Sequence, residues 1–220
     1  MVIGLNSERG RRSADSGSAV IEFALVAPAL IILFFGTAGF GVMMGRYIQA
    51  VQVCRDLAHM YSDGIDFSQT GYQNIAIQLA QGTGMTATGG NGVTIFSQVM
   101  TVYQADCNAA GYQNTCGSLG QSVFTQRLYI GNQSLRSSTF GTPNPALLNS
   151  QGNISPSVYL QDTDSSVIAN GFTALVTAAG ETGGLPEGEY AYMVEVYFAY
   201  PDLSYLGNST AGGAYVRFIF

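Results

Sequence analysis

The feature that most constrains this chain is a stretch of 23 residues without a charge, Phe23 to Gly45, FALVAPALIILFFGTAGFGVMMG. At ~1.5 Å of rise per residue, about 20 such residues cross the ~30 Å hydrocarbon core of a bilayer, so the run is long enough to span one with some tilt. Arg9, Arg11 and Arg12 precede it, whereas Arg46 and Arg55 follow, with Asp56, Asp63 and Asp66 beyond. Arginines are retained on the cytoplasmic side, so this bias places the N-terminus inside and sends the long C-terminal portion outward. A cleaved signal peptide would share the basic start and the direction of export. Against it, the run exceeds the usual h-region of about 7 to 15 residues, and its far end lacks a small-x-small cleavage site. The Arg11-Arg12 pair invites a twin-arginine reading, for which Ser13-Ala14-Asp15 is a poor continuation.

The rest of the 220-residue chain narrows the function classes. Its formal charge is −6, only 10% of residues are charged, and its basic residues are eight Arg with no Lys. Displacing counterions from phosphates takes a basic stripe, which a few scattered arginines in an acidic chain cannot supply, so nucleic acid is excluded as a partner. A composition rich in Gly, Tyr, Ser, Thr, Asn and Gln but poor in charge suits secreted or surface-assembled proteins. One His and three Cys leave little material for a catalytic or metal centre, and no cofactor is expected.

The start of the apolar run reads Gly17-Ser18-Ala19-Val20-Ile21-Glu22-Phe23. A carboxylate at the threshold of a membrane helix is costly unless it meets a partner. Counted from Ser18, Glu22 is the fifth residue. The string GSAVIEFALVAP followed by an apolar tract, behind an Arg-bearing leader, resembles the type IV pilin superfamily, and most closely the TadE/TadG-like minor pilins (pseudopilins) of tight-adherence (Tad, Flp) pilus systems. The resemblance covers Gly17 to about Asp56. It implies cleavage after Gly17 by a prepilin peptidase, Ser18 as the new N-terminus, Glu22 as the retained carboxylate, and pilin subunits, the Tad assembly machinery and inner-membrane lipid as partners. Independently of family, a buried carboxylate can pair with the α-ammonium of Ser18 on a neighbouring subunit and fix axial register. The alternative is a glutamate that snorkels to the headgroup boundary. Pro28 removes one backbone donor early in the helix, where a kink or loosening is expected. Gly41-Val42-Met43-Met44-Gly45 is a small-xxx-small pattern that suits close helix packing, or reflects the ordinary glycine enrichment of membrane helices.

Past Gly45, Ile48, Val51, Leu57, Met60 and Tyr61 recur at helical spacing, so the helix is expected to continue to Ser62 and stop at Asp63-Gly64. Asp66-Phe67-Ser68 resembles a cap for a second helix over Tyr72–Gln81. Four tracts rich in Val, Ile, Tyr, Phe and Thr then read as half-buried strands: Gly92–Tyr103, Ser122–Gly131, Glu189–Tyr200 and Ala214–Phe220. Residues 134–187 read mostly as loop, with a short helix around Asp164–Ala178. The expected class is α+β: a basic cytoplasmic leader over 1–17, a transmembrane and neck helix over 18–62 with its span at about 22–45, and an extracytoplasmic antiparallel β-sheet domain over 63–220.

Cys107 and Cys116 bracket a short polar loop. Outside the cytoplasm they can oxidise to a disulfide that staples a connection between strands. Metal binding is the rival, but the two thiols lack a local His or acidic ligand. Cys54, on the neck helix, is left odd and expected to be buried, with intermolecular pairing a minor alternative. His59 lies near Asp56 and Asp63, yet Cys54 falls on a different helix face, so a surface or interface histidine is expected rather than a catalytic one. Asp162 and Asp164 suggest oxygen ligands but lack the Gly and closing Glu of a calcium loop. Glu187 and Glu189 read as a solvated turn, and Gly89-Gly90-Asn91-Gly92 does not follow a strand as a phosphate-cradling loop would. The expected function is therefore structural, with no catalytic residue. A membrane-tethered binding module that escapes the peptidase is the alternative, and an anchored enzyme a third reading without a visible constellation.

Overall fold

The computed structural model describes residues 12–112, 116–180, 184–201 and 212–220, with side chains from residue 19 onward. The leader arginines Arg9 and Arg11 lie outside the described residues. The chain divides into two compact units, Met1–Gly45 and Arg46–Phe220. Helix α1, Arg12–Ser62, contributes to both and is helical on either side of Pro28. It closes at the expected stop. Gly64 takes φ +85°, its N–H bonds Tyr61 O at 3.1 Å, and the N–H of Ile65 reaches back to Met60 O at 3.0 Å. That pair of bonds is the Schellman arrangement, which satisfies the last carbonyls and favours glycine at the left-handed residue.

The second unit is an antiparallel sheet with helices and loops on its faces, an α+β fold. Strands β1 (Gly92–Thr101), β2 (Ser122–Gly131), β3 (Tyr190–Ala199) and β4 (Gly213–Ile219) lie in the order β2-β1-β3-β4. Helix α2 spans Thr70–Leu79, two residues ahead of its expected position, and Asp66 does not cap it. Asp66 instead closes its own turn, accepting from the Ser68 N–H at 2.9 Å, and Gln69 is the N-cap. Strand β1 stops at Thr101, short of Tyr103, because Tyr103 precedes an unforeseen helix α3, Gln104–Ala109. There the Tyr103 N–H donates to Asp106 Oδ2 at 2.8 Å, a local bond that draws the backbone out of the sheet.

Strands β1, β2 and β3 are more deeply buried than the half-buried expectation, which β4 meets. In β1 every residue except Gln98 is buried. Both faces of the sheet are covered. On one face Ala50, Val53, Cys54 and Leu57 of α1 pack with Phe96, Val194, Val196 and Val216. Their recurrence every three or four residues turns one stripe of the helix to the sheet. The other face is covered by the region read as loop. Here α4 (Pro156–Tyr159), α5 (Asn170–Ala178) and two 3-10 turns bring Phe140, Ile154, Val167 and Phe172 against Val99, Phe124 and Met193. The sequence expectation placed one short helix in this region, and α5 lies within it. Gly171 shows how tight this cover is, since a Cβ there would sit 2.3 Å from Thr139 O.

Candidate functional site

The first unit presents an apolar helix whose large side chains are exposed. Val20, Ile21, Phe23, Leu25, Ile31, Ile32, Leu33, Phe34, Phe35 and Phe40 are all exposed, around the whole circumference of the helix. Among the described residues, α1 is the one helix long and apolar enough to cross a membrane. The one hydroxyl within the uncharged run is turned to the helix's own backbone, as a lipid surface requires. The Thr37 hydroxyl stays within bonding distance of Leu33 O and Phe34 O, at 2.9 and 3.0 Å, and so spends its donor on the helix's own backbone. A Cβ added at Gly36, Gly41 or Gly45 would meet nothing within 4 Å, so these positions form bare backbone on the helix surface.

Gly17 and Ser18 lie within α1, one turn before Glu22, and their side chains are outside the described residues. Glu22 is exposed on the same helix. The geometry thus sets a carboxylate four residues after Ser18 on a helix whose following residues are apolar all round, and four residues is the spacing that returns to the same face.

The other sequence candidates lie in the second unit and do not converge. Cys107 and Cys116 are joined in a disulfide with Cα atoms 5.8 Å apart, in the connection between β1 and β2. Cys54 is fully buried and its Sγ faces Val194 O at 3.3 Å. His59 is exposed, with its ring 4.5 Å from that of Phe220. Asp164 accepts from the Ser166 N–H at 2.9 Å and from Asn144 Nδ2 at 3.3 Å, bonds that hold its carboxyl below the usual range and commit it to a turn. Asp162 takes a left-handed φ of 51° beside it. Glu187 and Glu189 are exposed. Among the described residues, no three His, Cys, Asp or Glu side chains gather in a way that could hold a metal ion.

What the sequence reading missed is a polar cluster on the sheet face away from α1. Register places Tyr129, Ile95, Glu195 and Arg217 in one row across the four strands, and Arg127, Ser97 and Met193 in the next, all on that face. Glu195 is 1% exposed. A carboxylate so buried is tolerated only when its lone pairs are filled. It accepts from Ser138 Oγ, from the Thr139 N–H and hydroxyl at 2.9 Å each, and from Tyr215 OH at 2.5 Å. Burial, and then the bond to Glu195, push the Tyr215 phenol up to about 12. Arg127 is also 1% exposed; its Nη2 donates to Gly141 O at 2.8 Å, and its guanidinium lies 4.5 Å from the centre of the Phe124 ring. Residues 132–142, a strap leaving β2, are thereby pinned across the sheet. A legible signal existed: a lone Glu in the otherwise apolar and aromatic β3, and a lone charged residue, Arg127, within β2.

Residues 17–59 match the model of the TadE-like protein family. The matched segment holds Gly17, Ser18, Glu22, Pro28, Gly41 and Gly45, and it supports a component associated with Tad pili. Neither a curated protein nor a solved structure matches the chain.

Proposed function

We propose, from a chain whose residues 17–59 are TadE-like, that this protein is a non-enzymatic, single-pass, pilin-like subunit that works in the assembly of a Tad-type pilus or secretion machine. In this reading residues of about 22–45 lie in the inner membrane, the N-terminus is cytoplasmic, and residues 63–220 lie outside. A prepilin peptidase cuts after Gly17. The freed ammonium of Ser18 then meets Glu22 of a neighbouring subunit as helices leave the bilayer and bundle. Such a pair contributes little net stability, because desolvating two charges offsets most of their attraction; its value is that only one axial register satisfies both. Pilin subunits, the Tad machinery and inner-membrane lipid are the partners, and Gly41 and Gly45 let neighbouring helices approach closely.

The single observation that carries the proposal is the Gly17-to-Glu22 spacing inside the matched segment, at the head of a helix whose large apolar side chains are exposed. The disulfide between Cys107 and Cys116 supports an oxidising compartment for the second unit. The test is Glu22→Gln together with Gly17→Leu, followed by membrane fractionation and recovery of the protein from sheared surface filaments. Both variants should remain membrane-bound and be lost from the filament fraction. Wild-type recovery of both in filaments would overturn the proposal.

A further inference from the structure

The strap and the sheet face beneath it concentrate positive charge in a chain that is acidic as a whole. Three of the eight arginines, Arg127, Arg136 and Arg217, stand there against one carboxylate, Glu195, so three minus one leaves an excess of two in a chain of formal charge −6. Glu195 is already filled by Ser138, Thr139 and Tyr215. Among the described residues, no carboxylate oxygen lies within 4.0 Å of any of the three guanidinium groups. Arg127 is the extreme case: its Nε and Nη1 are buried without a hydrogen-bond partner. A cation desolvated this far and left with open donors projects its field through low-dielectric surroundings rather than into water.

Along the strap lies a cleft of about 250 Å³. Arg127 does not line it but stands behind its wall: Tyr129, which lines the cleft, has its ring centre 5.9 Å from the guanidinium, and Gly141, which accepts from Arg127, directly precedes the lining residue Thr142. Tyr129, Pro145 and Leu148 make its apolar walls, while Gln133, Ser137 and Thr142 supply amide and hydroxyl groups. Arg136 is its charged residue, exposed, with its guanidinium carbon 4.2 Å from the centre of the Tyr215 ring.

We propose that this cleft binds an acidic sugar, a single pyranose ring carrying a carboxylate. The volume is below the ~300–1,000 Å³ of sites for larger ligands and suits one ring. The aromatic face of Tyr129 complements the C–H face of a pyranose, the amide and hydroxyls match its ring hydroxyls, and a planar guanidinium takes a carboxylate through two parallel bonds. One exposed arginine matches the single charge of a carboxylate better than the near-double charge of a phosphate monoester.

The test uses the full chain in a detergent without a sugar headgroup, titrated with galacturonate, galactose and acetate and followed by ligand-observed NMR. Galacturonate should bind saturably, and galactose and acetate at least about tenfold more weakly, since each lacks half of the recognition. Arg136→Gln and Thr142→Trp should each lower galacturonate affinity by at least about tenfold while the melting temperature is kept. Absence of saturable galacturonate binding, equal binding of galactose or acetate, or unchanged affinity in Arg136→Gln would overturn the proposal. None of these readouts involves a filament, so the pilus reading stands or falls separately.

Discussion

The two halves of α1 are one continuous helix written for two solvents. From Ala19 to Gly45 large apolar side chains are exposed all round, Leu25 at 75% and Ile32 at 72% among them. From Arg46 to Ser62 the exposed positions Gln52, Arg55 and His59 alternate with a stripe that includes Ala50, Cys54 and Leu57, each 0% exposed. A helix surrounded by lipid needs no polar face, whereas a helix between water and a sheet must divide its surface. The change from uniform to striped composition near Gly45 therefore marks a change of environment that helical propensity alone does not register.

The largest effect should come from the striped half. Leu57→Ala leaves a cavity under the sheet and should lower unfolding stability by ~2–5 kcal/mol, whereas Leu33→Ala should change it by no more than about 0.5 kcal/mol, both read by urea unfolding in detergent. Equal losses at the two positions would erase the distinction. Next, Cys107→Ser with Cys116→Ser reopens a short loop and should cost about 2–3 kcal/mol in the same assay, on a model in which the bridge limits the unfolded chain. Glu195→Gln replaces a charged acceptor by an amide whose N–H groups confront donors, and should cost about 1–3 kcal/mol.

A pH series sharpens the contrast within the second unit. Because the Tyr215 phenol is raised in the folded protein to about 12, from an ordinary value of 10, its contribution is fully present below pH 10. It is lost as pH rises towards 12, where the unfolded chain ionises first. Stability should therefore fall across that window, and Tyr215→Phe should flatten the fall. An unchanged slope in the variant would remove the phenol from the account. The smallest effect on folding belongs to Gly41→Leu: no measurable change in the melting of the second unit, with reduced recovery of the protein from filaments.

Much of this was legible in the residues. The uncharged run, the stop at Asp63-Gly64 and all four strands followed from charge, period and turn chemistry, β2 with the same bounds. What escaped was decided by tertiary contacts. The cover over the second sheet face comes from a Gly-, Ser- and Pro-rich segment with little periodicity of its own, held by Phe140 and Phe172 in the core and by Glu195 gripping Ser138 and Thr139. Helix α3 is set by reciprocal bonds between Tyr103 and Asp106, too local a signal to outweigh the strand-like tract before it. The spacing of Gly17, Ser18 and Glu22 is read directly because the three lie close together in one helix, and the role proposed for them rests on that spacing. The cluster around Arg127 and Glu195 was not, because strands far apart in sequence assemble it.

The most direct test of the central claim is the intact mass of the protein extracted from membranes and from sheared filaments. The account predicts a polypeptide beginning at Ser18 in both fractions; a filament-borne chain that still carries residues 1–17 would contradict it.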